Sequence, residues 1–327
     1  MRAVIVNQPG GPETLEITQL PEPEPAAGEV LVRVAAAGVN RADLLQRRGF
    51  YDPPAGATPV LGLECSGEVV GVGADVDPSV VGQRVAALLT GGGYAEYVAV
   101  PLGQVAPVPG DLDDVAAGGL METAATVWSN VFETAGLTAG EVLLVHGGAS
   151  GIGTTAIQMA VAAGARVVVT VGSPEKAQVC RDLGAERAIE YRTTDFLDEL
   201  KGADLRPDVI LDIMGAAYLE RNVRALATGG RLVVIGLQGG IKGELDLNRL
   251  LMKRASVTAT SLRARPAHEK ASIVAGLVTA VWPWVAEGLV RPVVHSTFPL
   301  ERVQEAHQVL EDSSHTGKVV LTLGTAD

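Results

Sequence analysis

The chain is poor in cysteine, in histidine and in positive charge, and each shortage closes off a class of function. Its 327 residues hold two cysteines, Cys65 and Cys180, and five histidines. Two thiols can build neither a disulfide framework nor a four-thiolate zinc site, so a reducing, cytoplasmic setting is expected. Lysine and arginine number 26 against 38 acidic residues, a net charge of -12. Such a surface repels phosphate backbones, which argues against a nucleic-acid partner and requires any anionic ligand to find a local positive pocket. Long apolar runs are scarce too. Residues 142–165 carry no formal charge if His146 is neutral, but the glycines from Gly147 to Gly153 interrupt them, so they read as a soluble strand, loop and helix rather than a membrane span. The opening MRAVIVNQPGGPETLEI has no apolar core of signal-peptide length.

Glycine and apolar residues are abundant. Apolar residues make up 47% of the chain, enough for a sizeable core, and the length suggests two domains. Glycine, at 39 residues, is about 12% against an ordinary figure of about 7%. The first third reads as short strands, Glu29 to Val34, Gly67 to Gly71, Arg84 to Leu88 and Tyr94 to Val98, punctuated by Gly and Pro. Buried β-branched runs then alternate with helical stretches at Val142 to His146, Arg166 to Val171, Asp208 to Ile213 and Arg231 to Ile235. That rhythm predicts a doubly wound parallel sheet. A helix is expected from Tyr218 to Ala227, a strand from Val257 to Leu262, and late strands at Val293 to Thr297 and Lys318 to Leu323 that rejoin the first domain around a short helix near Glu301 to Glu311.

The most informative segment is EVLLVHGGASGIGTTAIQMAVAAGA. A strand feeding a glycine turn at a helix N-terminus presents backbone N–H groups and the positive end of the helix dipole, the geometry that holds a pyrophosphate. Two registers fit, Gly148-x-Ser150-x-x-Gly153 and Gly151-x-Gly153-x-x-Ala156, and both support a dinucleotide over a plain structural turn. The next strand ends without Asp or Glu and continues Gly172-Ser173-Pro174-Glu175-Lys176. A hydroxyl and an ammonium there suit a 2'-phosphate, so the expected cofactor is NADP(H). Glu175 counts against this unless it points to solvent, and the plain alternative for Lys176 is a solvated helix residue.

These motifs, with QPGGPETLEI, GVNRADLLQRRGFYDPP, GLECSGEV, LLTGGGYAEYVAVP, SPEKAQ, GLQGG and TSLRAR, resemble the zinc-free quinone oxidoreductase branch of the medium-chain dehydrogenase/reductase family. The likeness is strongest to the tumour-suppressor-inducible and zeta-crystallin-like members. It implies an α/β chain with a GroES-like β-rich catalytic domain (1–121 and 264–327) and a doubly wound parallel-sheet Rossmann domain (122–263). It also implies hydride transfer from NADPH to a small-molecule quinone without a metal, in a homodimer formed through the edge near Ser256 to Leu262. Where zinc-dependent relatives carry a thiolate and a histidine, this chain has Asn40 and Leu63. A quinone needs no Lewis acid to accept hydride, whereas alcohol oxidation loses its usual support.

By the same resemblance Asn40 and Tyr51 lie beside the nicotinamide, with Tyr51 donating to the acceptor carbonyl or, alternatively, packing on Pro53 and Pro54. Cofactor contacts are implied at Asn40, Thr126, Gly148, Ser150, Gly151, Ile152, Gly172, Ser173, Lys176, Tyr191 near the adenine, Leu237, Gly239, Gly240, Ser261, Leu262, Arg263 and Lys318. Leu45 replaces a tyrosine common in relatives. Asp43 reads as a hydrogen-bond acceptor or cap and His307 as a satisfied histidine at a helix edge. The alternatives are an NADPH-dependent reductase of activated double bonds (enals, enones or enoyl thioesters) and a low-turnover NADPH-binding sensor or crystallin-like protein.

Overall fold

The computed structural model describes residues 1–324, which fall into two compact units, Met1–Ala125 with the C-terminal stretch from Leu262, and Thr126–Ser261. In the first, a GroES-like unit, a seven-stranded sheet is built around the long strand Glu29–Val39. Its residues alternate toward a core of Val30, Val32, Val34, Ala37 and Val39, packed with Val303, Ala306 and Leu310 of the helix Val303–Glu311. Glu29–Val39 pairs antiparallel with Glu64–Val72, with Tyr97–Pro101 and with the late strand Lys318–Thr322, which runs parallel to Val294–Pro299. The late strands therefore rejoin the first unit.

One strand begins later than its sequence suggests. Gly91 to Gly93 turn the chain, with Gly92 at φ +96°, and Tyr94 leaves extended pairing to enter the core, donating its N–H to Leu61 O at 3.0 Å. The strand proper starts at Tyr97.

The second unit is a six-stranded, wholly parallel sheet in the order Arg187–Glu190, Arg166–Val171, Val142–His146, Val209–Asp212, Arg231–Val234, Ser256–Ala259. This is the Rossmann arrangement. The winding direction reverses beside Val142–His146, the switch point at which such sheets bind ligands beyond their strand ends. The flanking strand Arg187–Glu190 has no apolar run to announce it, since pairing with Val168–Val171 supplies its order. The helix expected from Tyr218 runs Ala216–Ala225, starting after Gly215 at φ +72°, and the last strand is shorter than expected, ending at Ala259. No helix among the described residues is long and apolar enough to cross a membrane.

Candidate functional site

In the Rossmann unit the strand Val142–His146 leads through Gly147, at φ +77°, and Gly148 into the helix Gly151–Ala162. Ser150 caps this helix, its Oγ accepting from Gly153 N–H at 3.0 Å. The N–H groups of Gly151 and Ile152, in the helix's first turn, have no carbonyl within the helix to bond and remain the donors a pyrophosphate needs. Glycine is required for steric reasons. A Cβ on Gly153 would lie 2.4 Å from both Gly147 O and Gly148 O, and one on Gly148 would lie 2.4 Å from Val169 Cβ. The loop is thus packed to bare backbone against its helix and neighbouring strand, a cradle that fits a dinucleotide.

At the end of the next strand, Ser173 caps the helix Pro174–Asp182 by accepting from Lys176 N–H at 3.3 Å. Burial first, and the neighbouring Arg192 cation second, hold the Lys176 ammonium below its ordinary value. Arg192 is a second positive charge that the sequence pattern does not announce, because it follows the inconspicuous strand Arg187–Glu190. Glu175 is fully exposed and engages Ser173, as its outward position at a helix start permits. Tyr191 closes the group: a Cβ at Gly172 would fall 2.9 Å from its hydroxyl.

Leu237, Gly239 and Gly240 form a turn folded on the end of Val209–Asp212, with Gly239 N–H on Met214 O at 2.7 Å and Ala216 N–H on Gly240 O at 3.0 Å. Leu237 stays 53% exposed. Thr126 is buried and its carbonyl accepts from Asn130 Nδ2 at 2.8 Å. Ser261, exposed, ends this unit.

In the GroES-like unit the helix Arg41–Arg47 organises two clusters. At its start, Asn40 is buried and fully engaged. Its Nδ2 donates to Glu64 Oε1 at 3.0 Å and its Oδ1 accepts from Lys318 Nζ at 2.7 Å; Lys318 also donates to Glu64 Oε1 at 2.6 Å. Asn40 and Lys318 thus come together around a carboxylate, Glu64, that sequence reasoning left out. Asp43 accepts from Asn40 N–H (2.8 Å), Gly62 N–H (3.2 Å) and the Tyr94 hydroxyl (3.0 Å), and is the cap expected of it. Desolvation raises its pKa to about 6 against the lowering effect of those donors.

His307 is the satisfied histidine expected, but its place differs. It is completely buried rather than at an edge, with Nδ1 accepting from Arg47 Nη1 at 3.1 Å and Nε2 facing the Tyr94 hydroxyl at 3.3 Å. Burial, reinforced by Arg47, pushes its pKa down to about 3, so it stays neutral. Arg47 is in turn paired with Glu311.

The second cluster lies at the other end of the same helix. Arg263 donates through Nη2 to Gln46 Oε1 at 2.7 Å and through Nε to Thr90 O at 2.8 Å, and its guanidinium lies 5.3 Å from the centre of the Tyr51 ring. Leu262 and Arg263 therefore belong to the unit that carries Tyr51. Leu45, in the same helix, is 36% exposed. Among the described residues no group of three or more His, Cys, Asp and Glu is placed to hold a metal ion.

Comparison with known proteins agrees with this geometry. An alcohol dehydrogenase GroES-like domain model matches residues 26–110 and a zinc-binding dehydrogenase model matches residues 151–276. The quinone oxidoreductase of Mus musculus is 32% identical over 330 residues, which cover 99% of this chain and 98% of that protein. A phenolphthiocerol/phthiocerol polyketide synthase subunit of Mycobacterium tuberculosis is 31% identical over 97% of this chain, which spans only 14% of that much longer protein. Among solved structures, the quinone oxidoreductase from Thermus thermophilus, also described in complex with NADPH, matches with TM-score 0.83 at 34% identity, covering 99% of this chain and 100% of that one. CurK enoyl reductase matches with TM-score 0.84 at 26% identity and 99% coverage of both chains. With relatives matched end to end and a GroES-like and a Rossmann unit in place, the chain belongs to the quinone oxidoreductase family of medium-chain dehydrogenases/reductases.

Proposed function

We propose that this oxidoreductase is an NADPH-dependent quinone reductase. The observation that carries the cofactor choice is the pairing of Lys176 with Arg192 beside the Ser173 cap, two cations gathered at one strand end of an acidic protein where an NAD-reading chain carries Asp or Glu. When bound, the reduced nicotinamide supplies the hydride. The amides of Gly151 and Ile152 hold the pyrophosphate, while Gly172, Ser173, Lys176 and Tyr191 hold the adenosine end. Thr126, Leu237, Gly239, Gly240, Ser261 and Leu262 form the remaining contacts, and Asn40, held in place by Lys318 and Glu64, meets the ribose or carboxamide edge through the second lone pair of its Oδ1. Tyr51 donates to the acceptor carbonyl, and exclusion of water strengthens that bond. Asn40 and Leu63 offer neither thiolate nor imidazole to a Lewis-acidic ion, which supports an acceptor that needs no such activation.

The likeness to CurK enoyl reductase and to a polyketide synthase subunit favours a second reading, reduction of an activated double bond. Steady-state NADPH oxidation with 1,2-naphthoquinone, a trans-2-enal and crotonyl thioester decides between the two. Turnover confined to the enal or thioester would replace the quinone assignment. Lys176→Ala is expected to weaken NADPH about 10- to 100-fold and NADH far less, and equal losses for both would remove the 2'-phosphate reading.

A further inference from the structure

Four cationic side chains are buried in the described residues: Arg47, Arg263, Lys270 and Lys318. Two are neutralised, Arg47 by Glu311 and Lys318 by Glu64. The other two are not. Arg263 is 5% exposed and Lys270 2% exposed, and neither forms an ion pair with any described carboxylate. They meet at one residue: Arg263 Nε donates to Thr90 O at 2.8 Å and Lys270 Nζ donates to Thr90 Oγ1 at 2.5 Å. Arg263 Nη1 is buried with no hydrogen-bond partner. The negative group nearest in effect, Asp43, already has its two oxygens occupied by three donors.

A buried charge without a partner costs several kcal/mol, and two of like sign side by side cost more. In a chain with 38 acidic residues the missing counter-charge is not a matter of supply. Burial, followed by repulsion from Arg263, brings the Lys270 ammonium down to about 8, in keeping with that strain. The unsatisfied guanidinium lies against Tyr51, which is half-buried in an irregular stretch beside the 78% exposed Phe50.

We propose that Arg263 and Lys270, bridged by Thr90, form an anion-binding subsite beside Tyr51, and that the acceptor carries a carboxylate-like anionic group alongside the carbonyl it presents to Tyr51. The substrate part of this inference rests on the reading of Tyr51 as the acceptor's donor; the anion site does not. The test compares 1,4-naphthoquinone-2-sulfonate with 1,4-naphthoquinone under NADPH, together with calorimetric binding of 2-naphthoate, which cannot be reduced. Wild-type protein is expected to prefer the sulfonated quinone in kcat/KM, and Lys270→Met to lower that preference about 10- to 100-fold, with Lys270→Arg restoring it. Lys270→Met should also melt at or above the wild-type temperature, because it removes an uncompensated buried charge. A lost melting transition would mark Lys270 as a structural strut and overturn the proposal. So would equal losses on the two quinones, or undiminished 2-naphthoate binding by Lys270→Met. If neither quinone is reduced, binding of 2-naphthoate that disappears in Lys270→Met retains the subsite and discards the quinone reading; no binding by the wild type overturns the subsite.

Discussion

His146 shows how much one side chain can be made to depend on its surroundings. It ends the first Rossmann strand fully buried, with Nε2 on Asn222 Oδ1 at 2.7 Å and Nδ1 on the Thr170 hydroxyl at 3.1 Å, and Phe196 and Tyr218 edge-on to its ring. Burial, only partly offset by Asn222, lowers its pKa from 6.5 to about 4. The unfolded chain therefore takes up the proton first, so the residue's contribution to stability is whole above pH 6.5 and drains away as the pH falls toward 4. Between pH 7.5 and 5 this amounts to about 2 kcal/mol. In His146→Gln, urea unfolding should show a pH dependence shallower by that amount, and parallel curves for the two proteins would contradict it. Nothing in the run Val142 to His146 marks the histidine as unusual, because the groups that fix its tautomer come from 24 and 76 residues away.

Among the elements, the glycine loop with its helix was the most legible in sequence because its requirements are local. The cap at Ser150, the turn and the bare backbone at Gly153 all lie within a few residues of one another. Gly153→Ala should place a methyl group against two backbone carbonyls that cannot move independently, lowering the melting temperature and weakening NADPH by more than about 10-fold, as dye-monitored melting and fluorescence titration would measure. A variant that binds and melts like wild type would mean the loop relaxes freely. The helix Arg41–Arg47 is the contrasting case. Asp43 was readable as a cap from its spacing to Asn40, but its other partners, Gly62 and Tyr94, are 19 and 51 residues distant. Arg263 and Lys270 reach Thr90 across 173 and 180 residues, and only the closed sheet brings them together. Local patterns thus exposed the glycine loop, while the clusters around Asp43 and Thr90, assembled from distant segments, emerged only in the fold.

For the whole molecule, the six-stranded sheet leaves Ser256–Ala259 as an outer strand, and the neighbouring helix Leu247–Lys253 keeps Leu247, Leu251 and Met252 about 70% exposed. Unpaired edges and apolar patches of this kind invite a second copy. Ser256 and Thr260 donate inward, to Gly230 O and Val234 O, so strand alternation turns the N–H of Ala259 outward. Ala259→Pro should leave the sheet's own bonds intact while blocking pairing at the edge. Sedimentation is expected to report a dimer for wild type and a monomer for the variant; a dimer in both would place the contact elsewhere.

The placement of Lys318–Thr322 against Ala36–Val39 bears on how the protein is made. Chains emerge N-terminus first and domains fold as units, yet the unit whose opening strands leave the ribosome earliest cannot close its sheet until its final strand arrives. The Rossmann unit, continuous from Thr126 to Ser261, has no such wait. The buried ammonium that secures Asn40 therefore arrives on that closing strand, so a chain stalled before Lys318 would hold a finished Rossmann unit and an unfinished GroES-like one.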